Sequence, residues 1–510
     1  MKKSIKPFEV FLFIFSVFIV LAAISLIFPA GGIRIVKDLY LHFPGKDEIL
    51  HPASPDYADI SHLLNTLHTE EDSLIPDYSD IFISPRETDA AGLADSIPPE
   101  ANDNVIHDIS DTEDLRQLIF SLDFPENNDT VLDNFFKKLV ALEKSRELLR
   151  IIHYGDSQIE NDRISSSLRN RFQIKFGGSG IGMFPVVSNV PHSASVKIEY
   201  QGNWKRHTPL EGDRGLPAHN RWGLLMSYSS LTPTQGATFR GGFSLTPDKF
   251  GYRRSQQMDE LSIFLGNNKA PVLIELNSAG GVIDSKIISP AGSLKRINWD
   301  LPSDPKEYSV VFQGEDGLEI YSVSLDGPSG VAVDNVPLRG SSGLEFSRSD
   351  VSVMKQMMKL SNVKLLLLQF GVNVVPNIVD DYTYYENALL RQFRFLRSVD
   401  PEICVIVIGV SDMSRRTPGG HYESFPNIKL IRDAQKNAAF RAGFAFWDLF
   451  EAMGGINSMP AWVMADPPLA VTDYTHFTFR GSTLLGDLLF NAILEEYYNY
   501  LKRTTEKIEN

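Results

Sequence analysis

Three stretches of the chain run almost wholly apolar and then break into a short loop carrying glycine or aspartate: "RIIHYGDS" (150–157), "VKLLLLQFGVN" (363–373) and "ICVIVIGVSD" (403–412). A strand that is apolar at successive positions leaves no face for water, so it must be covered on both sides, as in a parallel sheet flanked by helices. The segment "YTYYENALLRQFRFLRSV" (382–399), between the second and third runs, has apolar residues at helical spacing. Alternating strand and helix predict an α/β fold of three layers around a parallel sheet. Its start is marked by "NNDTVLDNFFKKLVALEKSRELL" (127–149), where Val131, Phe135, Leu139 and Leu142 recur at helical intervals.

From about Phe184 to Asp334 the texture changes. Short alternating segments such as "APVLIELNS" and "EYSVVFQG" are separated by Gly, Pro, Asn and Asp turns, the pattern of a β-sandwich. Because α/β elements flank it, the sandwich is expected to be inserted into the first domain. The predicted organisation is a transmembrane anchor over 1–30, an acidic flexible linker over 31–126, the α/β domain in two parts over 127–185 and 335–510, and the insertion over 186–334.

The anchor rests on Lys2, Lys3 and Lys6 preceding an apolar run from Val10 to Phe28, long enough to cross a hydrocarbon core. A cleaved signal peptide is the competing reading, but Phe28 sits where a small residue is wanted ahead of a cleavage point at Ala30. The lysines keep the N-terminus in the cytoplasm, which predicts a single-pass inner-membrane protein with its folded part in the periplasm. The linker rests on sixteen Asp and Glu against the single Arg86 over 51–114.

A net charge of −15 argues against nucleic acid as a partner. Cys404 is the only cysteine, so no intrachain disulfide forms, and its setting in "ICVIVIGV" is that of a buried strand. No zinc motif, no Gly-Lys-Ser/Thr phosphate loop in "FGGSGIGMFP" (176–185) and no G-x-S-x-G elbow is present. The expectation is that the protein uses neither a metal nor another cofactor.

Ser157 follows a strand and precedes a stretch able to form a helix, which places a hydroxyl at the carboxyl edge of the sheet, where open α/β folds bind ligands. A serine needs a general base, and the base an orienting group. "VTDYTHFTFRG" (471–481) supplies both, with Asp473 and His476 three residues apart. Asp156, beside Ser157, is expected to stabilise its turn rather than act in the chemistry.

Read together, "GDS" (155–157), "GSSG" (340–343), "GVN" (371–373) and "DYTH" (473–476) stand in the order of the motifs of the SGNH, or GDSL-type, hydrolases, which this chain resembles. The resemblance implies a flavodoxin-like sheet, a triad of Ser157, Asp473 and His476, and an oxyanion hole of the Ser157 and Gly343 amides with the Asn373 side chain. A sandwich interrupting the domain between its serine and glycine blocks is similar to the bacterial peptidoglycan O-acetylesterases. The implied function is a membrane-tethered serine esterase acting on an acetylated envelope polysaccharide, with a polysaccharide O-acetyltransferase as the alternative. Trp204, Trp222 and Trp299 of the insertion are candidates for stacking on sugar rings as well as for core, and Trp462 and Met464 for walls of the acyl site.

Overall fold

The computed structural model describes residues 7–28, 33–36, 39–41, 56–65, 120–126, 128–188, 190–210, 219–248, 251–302 and 307–509. The N-terminal apolar run forms a helix, α1 (Pro7–Ile27), of 21 residues, whose described side chains are mostly exposed. Most of the acidic stretch, 66–119, lies outside the described residues.

The three apolar runs are the central strands of a five-stranded parallel sheet. With β1 (Leu148–Gly155), β2 (Gly330–Pro337), β3 (Val363–Gln369), β4 (Cys404–Ile408) and β5 (Ala445–Trp447), the order is β2-β1-β3-β4-β5. This is the flavodoxin-like order, whose switch point lies between β1 and β3. Successive strand residues serve opposite cores, as the pleat requires. Leu365, Leu367, Cys404 and Ile406 face α2 (Arg163–Phe176) and α6 (Phe479–Glu509), while Leu366, Leu368, Val405 and Val407 face α3 (Val351–Leu360), α4 (Thr383–Val399) and α5 (Ile428–Arg441). Burial pushes the Cys404 thiol up to about 11, so it stays an inert core group.

The insertion is a sandwich of two antiparallel sheets. Strands 281–288, 272–278, 308–315, 238–247 and 196–201 make one sheet; strands 295–300, 260–266, 318–326, 228–231 and 204–207 run in order through the other, to which 182–184 adds beside 318–326. The expected boundaries therefore move. Residues 182–184 already belong to the sandwich, and the boundary at Asp334 falls inside β2, paired in parallel with β1. Trp299 is buried and Trp204 packs edge-on against Phe312.

The sandwich is not packed as a separate body. Trp222, Leu224, Leu225 and Met226 share one apolar cluster with Tyr154, Phe346, Met354 and Met357 of the α/β domain, and the Tyr154 hydroxyl donates to the Leu224 carbonyl at 2.7 Å. Beneath them Arg150 of β1 donates to Asp326 at 2.6 Å and to Asp334 at 2.5 Å, with all three groups buried. Breaking such a buried charge set by removing one member costs several kcal/mol, on the order of 3–5.

Two pieces of the expected linker are also part of the folded body. Leu122 joins the core on the α2 face, and Asp123 exchanges both backbone hydrogen bonds with Phe446 at 2.8 and 2.9 Å, covering the edge strand β5. Ile60 and Leu63 enter the same core. The domain therefore reaches upstream of Asn127.

Candidate active site

Four loops at the carboxyl edge of the sheet supply the site. Strand β1 ends at Gly155, whose absent side chain matters: a Cβ there would sit 2.9 Å from the Gln369 carbonyl oxygen. Asp156 then caps the turn Ser157–Asp162 by accepting from the Gln158 amide at 3.0 Å. Burial pushes the Asp156 carboxyl up to about 7, against the opposing pull of the Gln158 and Val372 amides and of His476. Its role is the expected one of holding the turn.

Ser157 Oγ lies 2.8 Å from His476 Nε2, and His476 Nδ1 lies 2.7 Å from Asp473 Oδ2. The carboxylate fixes the proton on Nδ1, which leaves the Nε2 lone pair toward the serine hydroxyl. Asp473 Oδ1 accepts from the backbone amides of Thr475 at 2.9 Å and His476 at 3.0 Å. Partial burial raises the Asp473 carboxyl, but the bonds from His476 and Thr475 outweigh it and hold the group below the usual carboxylate range. The three predicted triad residues are thus joined in one hydrogen-bonded line, 319 residues apart in sequence at its longest step.

The predicted oxyanion donors are placed differently. The Ser157 amide opens the turn, but the Gly343 amide donates to Ser341 Oγ at 2.9 Å, and Asn373 Nδ2 donates to the Ser341 carbonyl at 2.9 Å. Gly343 has φ +79°, and a Cβ on it would meet the Phe370 ring at 2.9 Å, so glycine is required there. An amide N–H already spent on a neighbour cannot also face a substrate oxygen. Asn373 keeps a second N–H on the same nitrogen; Gly343 has only one.

Sequence reasoning passed over Gln158 and Ser341. Gln158 Nε2 donates to the Thr475 carbonyl at 2.7 Å and to Ser411 Oγ at 2.8 Å, tying the residue after the serine to the histidine's own loop. A Gln following GDS was the signal available. Ser341 lies inside the GSSG block, but only the fold brings its carbonyl to Asn373. Arg339 pairs with Glu160 beside the same turn, its Nε and Nη2 donating to the two carboxylate oxygens. Trp462, in contrast, is fully buried, donating to the Met453 carbonyl at 2.9 Å and packed on Phe477, while Met464 is exposed. Trp462 thus fills the core beside the histidine's loop.

No family model matches the sequence, and no curated relative matches it. Solved structures do. The chain is similar to a peptidoglycan O-acetylesterase at 22% identity, with a TM-score of 0.58 over 72% of this chain and 96% of that one. A family two carbohydrate esterase from Cellvibrio japonicus matches at 7% identity over 60% and 99%, and a GDSL-like lipase from Parabacteroides merdae at 12% over 32% and 72%, each with a TM-score of 0.24. The first of these shows a shared fold; within it the four sequence blocks meet at one sheet edge.

Proposed function

We propose that the chain is a serine esterase that removes O-acetyl groups from an acetylated envelope polysaccharide, peptidoglycan first among the candidates, and that α1 tethers it to the inner membrane with the catalytic domain in the periplasm. The observation that carries the enzymatic part is the line Ser157–His476–Asp473, with steps of 2.8 and 2.7 Å at the switch point of the sheet. His476 Nε2 takes the hydroxyl proton as Ser157 Oγ attacks the acetyl carbonyl. The new oxyanion is received by the Ser157 amide and the free N–H of Asn373, joined by Gly343 once its amide leaves Ser341. Collapse breaks the bond to the sugar oxygen, which departs with the proton from His476, leaving acetyl-Ser157. Water, deprotonated by the same nitrogen, then releases acetate.

Likeness to an esterase of acetylated peptidoglycan supports the choice of substrate. The tether rests on sequence. Among the residues whose side chains are described, no helix is long and apolar enough to cross a membrane. Pro7, Glu9, Ala22, Leu26 and Ile27 of α1 lie outside that set. The whole helix rises about 31 Å at 1.5 Å per residue, the thickness of a hydrocarbon core.

The test is acetate release from O-acetylated peptidoglycan by the full chain and its Ser157→Ala variant, with deacetylated polymer as acceptor in parallel. Release that depends on Ser157 is expected. Acetyl appearing on the acceptor instead of as acetate would make the protein a transferase, and no turnover of any acetyl ester would end the enzymatic reading.

A further inference from the structure

Residues 56–65, which composition assigns to the tether, dock against the support of the catalytic histidine. The Ala58 amide donates to the Asn457 carbonyl at 3.2 Å, and Asn457 Nδ2 donates to the Asp56 carbonyl at 3.0 Å. Ile60 and Leu63 sink into the core that contains Met453, Met459 and Trp462, with Ile60 against Gly454 so closely that a Cβ there would lie 3.3 Å from its Cγ2. Asn457, at φ +60°, bonds Ser424 twice: its amide donates to Ser424 Oγ at 2.7 Å, and its Oδ1 accepts from the Ser424 amide at 2.9 Å.

Ser424 pairs with Ser414 in a small hairpin, 414–416 with 422–424, and this hairpin grips the catalytic turn. The Ser414 amide donates to the Tyr474 carbonyl at 3.1 Å, and the Tyr422 ring stacks on Tyr474 with centroids 3.5 Å and planes 8° apart. Tyr474 stands between Asp473 and His476 at φ +57°. A left-handed tyrosine costs about 1–2 kcal/mol, so the turn keeps its shape only while neighbours impose it. A two-stranded hairpin is itself marginal alone. Beside the bond from the Phe425 amide to the Met413 carbonyl, Asn457 is one of its anchors, and Asn457 is tied to 56–58.

We infer that residues 56–65 form a strap that positions His476, acting through Asn457, the 414–424 hairpin and Tyr474. The segment joining the apolar helix to the enzyme is therefore also part of what holds the imidazole at Ser157. The strap and Asn457 are positioning elements and not catalytic residues. The inference rests on the triad assignment above. Losing the strap leaves Ser157 and the oxyanion donors in place but lets the imidazole wander, and misplacement by about 1 Å costs up to roughly a hundredfold in rate.

The test uses the full chain with three variants. Asn457→Gly keeps the left-handed backbone and removes both side-chain bonds, Leu63→Ala empties the strap's anchor, and Tyr422→Leu removes the stack from outside the core. Two readouts are followed: kcat and KM on a small chromogenic acetyl ester, and the far-downfield proton resonance of His476 Nδ1–H bonded to Asp473, which needs no substrate. Hydrogen exchange over 56–65 reports release of the strap in the first two variants. The expected result is a fall in kcat of about tenfold with KM within about twofold, and a broadened or lost resonance. Asn457→Asp, which keeps the acceptor for Ser424, should recover part of both. Strap release with kcat and resonance unchanged would overturn the inference, as would a loss confined to KM. If the wild-type chain hydrolyses no ester, the proposed function fails, while the resonance still decides whether the strap holds the histidine.

Discussion

Among the described residues, the α/β domain contains two serine–histidine hydrogen bonds of nearly equal length, and only one has the surroundings of a catalytic pair. Ser157 Oγ lies 2.8 Å from His476 Nε2 at the open edge of the sheet; Ser165 Oγ lies 2.9 Å from His153 Nδ1 beneath it. His476 is oriented by a carboxylate, and 29% of its side chain is exposed. His153 is fully buried, and its other nitrogen meets the Gln369 amide oxygen at 3.1 Å, while Ser165 passes its own proton to Asn335 Oδ1 at 2.9 Å. An amide cannot stabilise an imidazolium as a carboxylate does, and burial pushes His153 down to about 4. The distance between a hydroxyl and an imidazole therefore says little; the third group and access to solvent assign the role. The buried pair belongs to a polar column, Asn335–Ser165–His153–Gln369–Gln158, that rises to the catalytic turn.

Substitution should separate the pairs most sharply. Ser157→Ala or His476→Ala is expected to lower ester hydrolysis by about three or more orders of magnitude with an unchanged melt, and Asp473→Asn by somewhat less. Ser165→Ala should leave turnover near wild type but cost about 1–3 kcal/mol, because His153 and Asn335 lose a buried partner. A large loss of kcat in folded Ser165→Ala would erase the distinction. Next in size, Asn373→Ala should lower kcat by about a hundredfold with little change in KM, since its amide serves the transition-state oxyanion. An effect on KM alone would move Asn373 from the hole to substrate binding.

The buried pair should also answer to pH, and for His153 the readout is stability. Its folded value near 4 lies below the ordinary 6.5, so between those limits the unfolded chain binds the extra proton, and stability is lost as pH falls. Denaturant titrations should show wild type losing on the order of 3 kcal/mol more than His153→Asn between about pH 6.5 and 4. Parallel curves would mean the site is not sealed from water.

Asp156 gives the opposite effect. Its folded value, raised to about 7, favours the neutral acid, a contribution present below 3.8 and lost as pH rises toward 7. Asp156→Asn keeps the acceptor for Gln158 and should gain in melting temperature relative to wild type as pH rises from about 4 to 8. A constant difference would show the carboxyl to be ionised throughout.

The residues that make the strands and the triad were legible because their signal is local. Apolar continuity in "LLLL" at 365–368 and the three-residue step from Asp473 to His476 survive without knowledge of the fold. The strap was not, because two apolar anchors, Ile60 and Leu63, are diluted by acidic and polar neighbours until the partner core is known. The end of the insertion was misplaced for a related reason: "GVAVDNVP" alternates like a sandwich strand, yet pairs in parallel with β1. Trp222 shows the limit of composition, since an indole in the insertion fills a core shared with the α/β domain. Deleting residues 190–330 would open that core.

The proposed chemistry requires acetyl transfer through Ser157 and not through any other hydroxyl, Ser165 included. Peptide mapping of the wild-type chain, acid-quenched during turnover of an O-acetylated substrate, tests this directly. The predicted result is acetyl on Ser157 alone. Acetate release with no acetyl on Ser157, or with acetyl on another serine, would contradict it.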